Sequence, residues 1–204
     1  VYRLMKTMQL PKISTRKPVF QAHCSDTACT NHLKQQFNPE EPNQVWASDI
    51  TYLRVGSKWF YLCVIIDLFS RKVIAWKISS KNDTDLTLAT FRLAYASRST
   101  TDCLMFHSDR GCQYTAHSFR KMLDSCNVLQ SFSKKGYPFD NAVVESFFKY
   151  LKLEETNRRT YHTLQELHLS IFEYIEGYYN SRRPHGSLGY MTPNEKEDVF
   201  FASH

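Results

Sequence analysis

Three acids in this sequence stand where a carboxylate is costly. Asp49 lies inside the apolar run VWASDITYLRV, flanked by Trp46 and Ile50; Asp109 directly follows the apolar run CLMFHS; Glu145 falls in the first turns of the helix-like stretch AVVESFFKYLK. A carboxylate placed in an apolar strand loses its hydration unless it is paired or binds a cation. Taken singly, each acid reads better as a satisfied structural group than as a site. The stretch around Glu145 adds a second feature. At ~100° per residue, Glu145, Lys149 and Lys152 fall within about 60° of one another. Val143, Val144, Phe147, Phe148 and Leu151 occupy the opposite arc. An acid that ligates metal beside lysines that hold phosphates suits phosphoryl transfer. The same spacing also describes ordinary surface ion pairs, the reading this helix alone favours.

The elements that must position these groups follow from the hydrophobic pattern. VWASDITYLRV, WFYLCVIIDLF and KVIAWKIS are strand-like, rich in Val, Ile and aromatics, and joined through Gly56-Ser57-Lys58 and Phe69-Ser70-Arg71. Joins this short imply antiparallel neighbours. A helix is expected over 83–97, with Asp83 as N-cap and Leu86, Ala89 and Leu93 on its buried face. CLMFHS and VLQSFS read as a fourth and a fifth strand, separated by a helix over 116–126. Asp140-Asn141 caps a helix over 142–155, and Leu164, Leu167, Ile171, Tyr174 and Tyr178 mark the buried stripe of a last one. The expected class is α/β, a mixed sheet flanked by helices. Residues 1–38 form a basic N-terminal tail and linker, and 39–200 one core with a C-terminal helix and tail.

Composition narrows the classes. The 204 residues are 42% hydrophobic and 14% aromatic, which supports a sizeable core and excludes global disorder. No apolar stretch approaches the ~18 residues of a spanning helix, and the first residues lack a signal-peptide block. A protein of the cytoplasm with no membrane partner is expected. The net charge of +6 is unevenly placed: Arg3, Lys6, Lys12, Arg16 and Lys17 precede the first acid, Asp26, and the rest is almost neutral. Six cysteines are too sparse for a disulfide scaffold, and Cys63 and Cys103 sit in apolar runs as buried thiols do. His23, Cys24, Cys29 and His32 match no common zinc spacing, so zinc is disfavoured.

VWASDITY (45–52), HSDRGCQYT (107–115) and KKGYPFDNAVVESFFKYLK (134–152) together resemble the three blocks of the DDE transposases. The likeness is to the orfB-type insertion-sequence branch, whose catalytic core is akin to that of retroviral integrases. Between Asp49 and Asp109 lie 59 residues, and between Asp109 and Glu145 lie 35, the spacing that marks the family. YYNSRRPHGSLGYMTP (178–193) is similar to its C-terminal block.

The resemblance implies a ribonuclease H-like fold with a five-stranded mixed sheet. It implies Asp49, Asp109 and Glu145 as the catalytic acids, holding two Mg²⁺ ions with Mn²⁺ as a substitute. The implied activity is transposase and integrase chemistry, DNA 3′-end cleavage and strand transfer without a covalent protein–DNA intermediate. Lys149, Lys152, Asn141 and Gln113 match positions expected at DNA, and Gly136 and Pro138 suit a mobile loop. Transposon terminal inverted repeats and target DNA are the implied partners, with a homo-oligomer in the synaptic complex. His107 shares a strand face with Asp109, and packing suits it at least as well as catalysis. Asp67 suits a structural hairpin role better than a fourth metal ligand. Cys112 stands where many relatives carry Ser. VYRLMKTMQL resembles the end of an upstream helix-turn-helix segment, so residues 1–38 read as its remnant. Two rivals remain: a nuclease of the same fold that cuts without joining, and a DNA-binding protein with dead chemistry.

Overall fold

A computed structural model describes residues 29–98, 100, 103–134, 136, 137 and 139–203. The basic tail, His23, Cys24 and Pro138 lie outside the described residues. Alternation of apolar side chains builds three long strands, β1 (Val45–Val55), β2 (Lys58–Asp67) and β3 (Val73–Ser79). β1 and β2 pair antiparallel around a turn at Gly56, whose φ of +55° is the left-handed conformation that glycine adopts without a Cβ penalty. β2 and β3 also pair antiparallel, as the short joins require.

After helix α1 (Thr84–Ser97) the chain returns as β4 (Met105–Ser108), parallel to β1. A short helical turn, α2 (Cys112–Thr115), and α3 (His117–Ser125) then lead to β5 (Leu129–Phe132), parallel to β4. The sheet order is β3-β2-β1-β4-β5. Helix α4 (Ala142–Leu151) runs on through a wider turn, Lys152–Thr156; α5 (Leu164–Phe172) continues likewise through Glu173–Tyr179; α6 (Pro193–Ala202) closes the chain.

The strand period of two sends alternate β1 residues to opposite faces. Val45, Ala47, Leu53 and Val55 pack with Val144, Phe147 and Leu151 of α4 and with Leu167 and Ile171 of α5. Trp46 faces the other way, against Phe91 of α1 and Phe119 and Leu123 of α3. Both faces of the sheet are covered, which is why β2 reads as an almost unbroken apolar run.

Several expectations need correcting. The buried face of α1 is Leu86, Thr87, Leu88, Thr90, Phe91 and Ala94, and Leu93 is exposed. Thr90 can be buried because its hydroxyl donates to the Leu86 carbonyl at 2.8 Å. Leu164 and Tyr178, at the ends of the last stripe, are exposed because the sheet reaches only Leu167, Ile171 and Tyr174. Cys103 is exposed because β4 begins two residues later. Cys63 is buried, as read, and burial pushes its thiol up to about 11. Asp83 caps α1, accepting the Leu86 N–H at 3.1 Å.

Residues 29–37 lie against this body. The Ser131 hydroxyl accepts the His32 and Leu33 N–H groups, and Leu33 is buried in the core. At the far corner, α6 docks through charge. Glu197 accepts from Arg98, from Lys72 at 3.0 Å and from Ser70 at 2.9 Å. Arg98 also reaches Asp67 at 3.4 Å. Asp67 is fully buried and accepts the Asn43 and Phe69 N–H groups, the hairpin role read for it. Burial pushes its carboxyl up to about 6, against the pull of those two N–H groups and Arg98.

Removing one partner from such a buried cluster leaves uncompensated charge. Arg98→Met should therefore cost about 3 kcal/mol of unfolding free energy in urea titration. A loss below about 1 kcal/mol would show that Arg98 does not bind α6 to the sheet.

Candidate active site

The pairing of β1 with β4 decides where the acids fall. Ala47 lies opposite His107 in the parallel register. Two residues further on stand Asp49, still within β1, and Asp109, just past the end of β4. Asp49 belongs to the face that α4 covers, since it shares the parity of Ala47 and Leu53. Its Oδ1 accepts the Ile50 N–H at 2.7 Å. Asp109 Oδ1 accepts the Gly111 N–H at 2.9 Å. A Cβ at Gly111 would lie 2.9 Å from that oxygen and 2.7 Å from Gln113 Oε1, so glycine is what lets the loop fold back on Asp109.

Glu145 comes from the first turn of α4, and two contacts set that turn. Asn141, just before the helix, does not cap it with its side chain. Its Nδ2 instead donates to the Ser48 carbonyl at 3.1 Å, fastening the helix start to the residue before Asp49. Asp140 does not cap it either. Its carboxylate accepts Asn31 Nδ2 at 2.8 Å, Gln35 Nε2 at 2.9 Å and the Lys134 N–H at 2.7 Å, which holds the incoming loop. The expected capping pair is thus a pair of long-range ties.

The electrostatics are those of like charges held together. Asp49's carboxyl is pushed up to about 7, first by burial, then by Asp109, with Glu145 adding to the rise. The Ile50 N–H and Lys152 pull the other way. Loss of hydration also raises Asp109, although the residue keeps an exposed flank, and raises Glu145. A carboxyl raised on folding opposes the fold when ionised. The penalty is absent below the usual carboxylate range and grows as pH rises through about 7. A cation seated among these oxygens would remove it. Among the described residues no three ligating side chains stand close enough to hold a metal ion as placed. Asp109 and Glu145 are both exposed, and Asp49 is half-buried.

The ground beneath the acids is polar and satisfied. Ser48 Oγ donates to the Val64 carbonyl at 2.8 Å and meets the Tyr114 hydroxyl at 2.8 Å. Burial raises Tyr114 well above its ordinary value, so it stays protonated. His107 is fully buried between the Ser131 and Ser133 hydroxyls, at 2.9 and 3.2 Å, and burial lowers it to about 4. It packs as a neutral ring.

The expected DNA-facing residues separate. Lys149 is exposed on α4. Lys152 is half-buried with its ammonium 4.5 Å from the Tyr52 ring; burial lowers its pKa and Asp49 opposes that shift. Gln113 Nε2 donates to Asn82 Oδ1 at 2.6 Å. Asn141 is buried and turned inward. Gly136 is exposed with φ +82°. Sequence reasoning missed Tyr52, Arg54 and Trp59, which gather around Lys152 at the hairpin end. The alternation of Tyr52 and Arg54 on the outer face of an amphipathic strand was the available sign.

Comparison with known proteins bears on this arrangement. Two family models, both described as integrase core domain, match residues 39–138 and 127–193. The transposase for insertion sequence element IS904 of Lactococcus lactis subsp. lactis (strain IL1403) is 39% identical over 167 residues, 82% of this chain and 66% of the relative. Transposase InsF for insertion sequence IS3A of Escherichia coli (strain K12) is 39% identical over 168 residues, 82% of this chain and 58% of the relative. The chain thus spans about three fifths to two thirds of these relatives.

Among solved structures, the HTLV-2 integrase catalytic core domain in complex with magnesium (trimeric form) matches with TM-score 0.57 at 18% identity. That match covers 78% of this chain and 99% of the other. An intasome of simian T-cell lymphotropic virus matches with TM-score 0.61 at 17% identity, over 78% and 56%. At these identities the likeness shows the fold, the ribonuclease H-like sheet with its flanking helices.

The tie from Asn141 to Ser48 yields a prediction. Asn141→Ala should lower unfolding free energy by about 1–2 kcal/mol, because the buried Ser48 carbonyl loses its donor. Amide exchange in the first turn of α4 should quicken in the same variant. Unchanged exchange there would mean that the tie does not hold the Glu145 turn.

Proposed function

This chain belongs to the integrase-core family of insertion-sequence transposases, and from that premise we propose that it catalyses divalent-metal-dependent DNA 3′-end cleavage and strand transfer. The reading is supported by the placement of Asp49 in β1, Asp109 directly after β4 and Glu145 in the first turn of α4, near enough for both to act on Asp49. It is supported also by the rise of Asp49 to about 7, caused first by burial and then by the other two acids. Acids brought together in this way suit a cation better than they suit each other.

Hard carboxylate oxygens beside phosphate substrates fit Mg²⁺, two ions being the expected number and Mn²⁺ the substitute. When bound, the metal supplies Lewis-acid stabilisation of the phosphoryl oxygens and a more acidic attacking hydroxyl. Asp49 and Asp109 would hold it from the sheet edge and Glu145 from the helix. The Ile50 and Gly111 N–H groups each fix one aspartate oxygen and so orient the other. Lys149 and Lys152, one and two turns beyond Glu145, place positive charge for the DNA backbone. Gln113 borders Asp109 on the loop side. Asn141 acts through the helix it anchors. Tyr114, protonated and buried, is unsuited to attack a phosphate, in keeping with in-line displacement and no covalent protein–DNA intermediate.

The substrates on this reading are the terminal inverted repeats of a bacterial insertion sequence and target DNA, in the cytoplasm. A homo-oligomer would hold two ends in one synaptic complex.

The test is a joining assay with labelled element ends bearing a free 3′-hydroxyl. With Mg²⁺, products longer than the substrate are expected, and Asp109→Asn should reduce them at least about a hundredfold. Products that are only ever shorter than the substrate would mean a nuclease and would remove strand transfer from the reading.

A further inference from the structure

The β1–β2 hairpin carries a feature that the three acids do not use. β4 ends at Ser108 and pairs with β1 only as far as Ala47. The outer half of β1 therefore runs past the acids with that edge unpaired by β4. Against it, between the hairpin and the chain that follows α4, lies a cleft of about 630 Å³. Its walls include Tyr52, Arg54, Trp59, Lys152, Asn157 and Arg159, and no Asp or Glu lines it among the described residues. The Gly56 N–H donates to the Tyr161 carbonyl at 2.9 Å and ties the hairpin tip to the far wall.

The lining is unusual for a surface hairpin. Tyr52 and Trp59 are 58% and 51% exposed, and their rings meet edge to face with centroids 5.3 Å apart. Each carries a cation: the Lys152 ammonium 4.5 Å from the Tyr52 centroid, and the Arg54 guanidinium carbon 5.9 Å from the Trp59 centroid. Arg159 is paired with Glu155 at 2.9 Å, so the net positive charge of the cleft comes from Arg54 and Lys152.

Exposed aromatic rings beside cations are what an unpaired base and its phosphate require. In a paired, stacked duplex the base faces are covered, so such rings gain nothing from it beyond its backbone. Tyr52 lies three residues beyond Asp49 on β1, about 10 Å along the strand and, by the alternation of side chains, on its other side. Lys152 bridges the two around the edge, acting on Asp49 while its ammonium lies on the Tyr52 ring. A DNA strand lying at the acids is thus within reach of the cleft, and the volume suits one nucleotide.

We propose that this cleft holds an unpaired DNA nucleotide near the reacting phosphate, its base stacked on the Trp59 ring and meeting the perpendicular Tyr52 ring edge to face, and its phosphate held by Arg54 and Lys152. The inference rests on the transferase reading and adds a subsite to it. The nucleotide can come from a frayed element end or from a target strand distorted on binding.

Equilibrium binding of the 204-residue chain to labelled DNA in the absence of divalent cation tests it. Three DNAs are compared: a fully paired duplex, the same duplex with a short unpaired tail, and one with a central unpaired bubble. The native chain should bind an unpaired form more tightly than the paired one. Trp59→Leu should lose about tenfold in affinity for that form and stay within about twofold on the paired duplex. Trp59→Phe, which keeps a ring, should retain most of the preference. Preference for the tail assigns the nucleotide to the element end, and preference for the bubble assigns it to the target. No preference in the native chain, or an equal loss on all three DNAs with Trp59→Leu, overturns the proposal. No bond is made or broken in this measurement. A chain that shows the preference yet never joins ends would contradict the transferase reading and not the cleft.

Discussion

The parallel pairing of β1 with β4, Ala47 opposite His107, is the constraint on which the rest depends. A shift of one residue would turn Asp109 to the opposite face from Asp49, because side chains alternate along a strand. The register holds because both strands are buried on both sides. Trp46 and Phe106 fill one face and Ala47 the other, while His107, kept neutral between two serines, satisfies its polar atoms in the interior. The site is thus a consequence of core packing one turn of the pleat below it.

That packing also carries an electrostatic load. Burial and the neighbouring carboxylates raise Asp49 far above an ordinary aspartate, and among the described residues Lys152 is the cation that pulls against the rise. Its ammonium also lies on the Tyr52 ring. Other buried charges among the described residues have partners, Arg71 through the Phe37 and Leu68 carbonyls and Asn38. Asp67 and Glu197 are met by Arg98 and Lys72, and Glu154 by Arg183 at 2.9 Å. Unmatched negative charge is concentrated where a cation and a phosphate would meet.

Much of this was legible in the sequence, for physical reasons. Strands with a period of two and joins of a few residues leave little choice but antiparallel pairing, and β1 to β3 form as read. The spacing of Asp49, Asp109 and Glu145 pointed to their convergence through resemblance, whereas no single acid could. What escaped was long-range or locally ambiguous. Asn141 looks like a helix cap, but its partner is a carbonyl 93 residues away. Thr87 and Thr90 look polar and are buried, because a helical hydroxyl can return its hydrogen bond to the preceding turn. Helix α6 has a local sign in Thr192, Pro193 and Glu195, a capping box with proline at the first turn, but its weak apolar periodicity hides the rest. The cleft beside Lys152 was out of reach, since it needs the hairpin and the chain after α4 in one place.

The central claim is that the three acids form one cation site. The most direct measurement is the melting temperature above pH 7, with and without Mg²⁺, for the native chain and for Glu145→Gln. If the site is shared, Mg²⁺ raises the melting temperature of the native chain, and the gain shrinks markedly once one ligand is neutralised. Equal gains in both proteins, or no gain in the native chain, would contradict it.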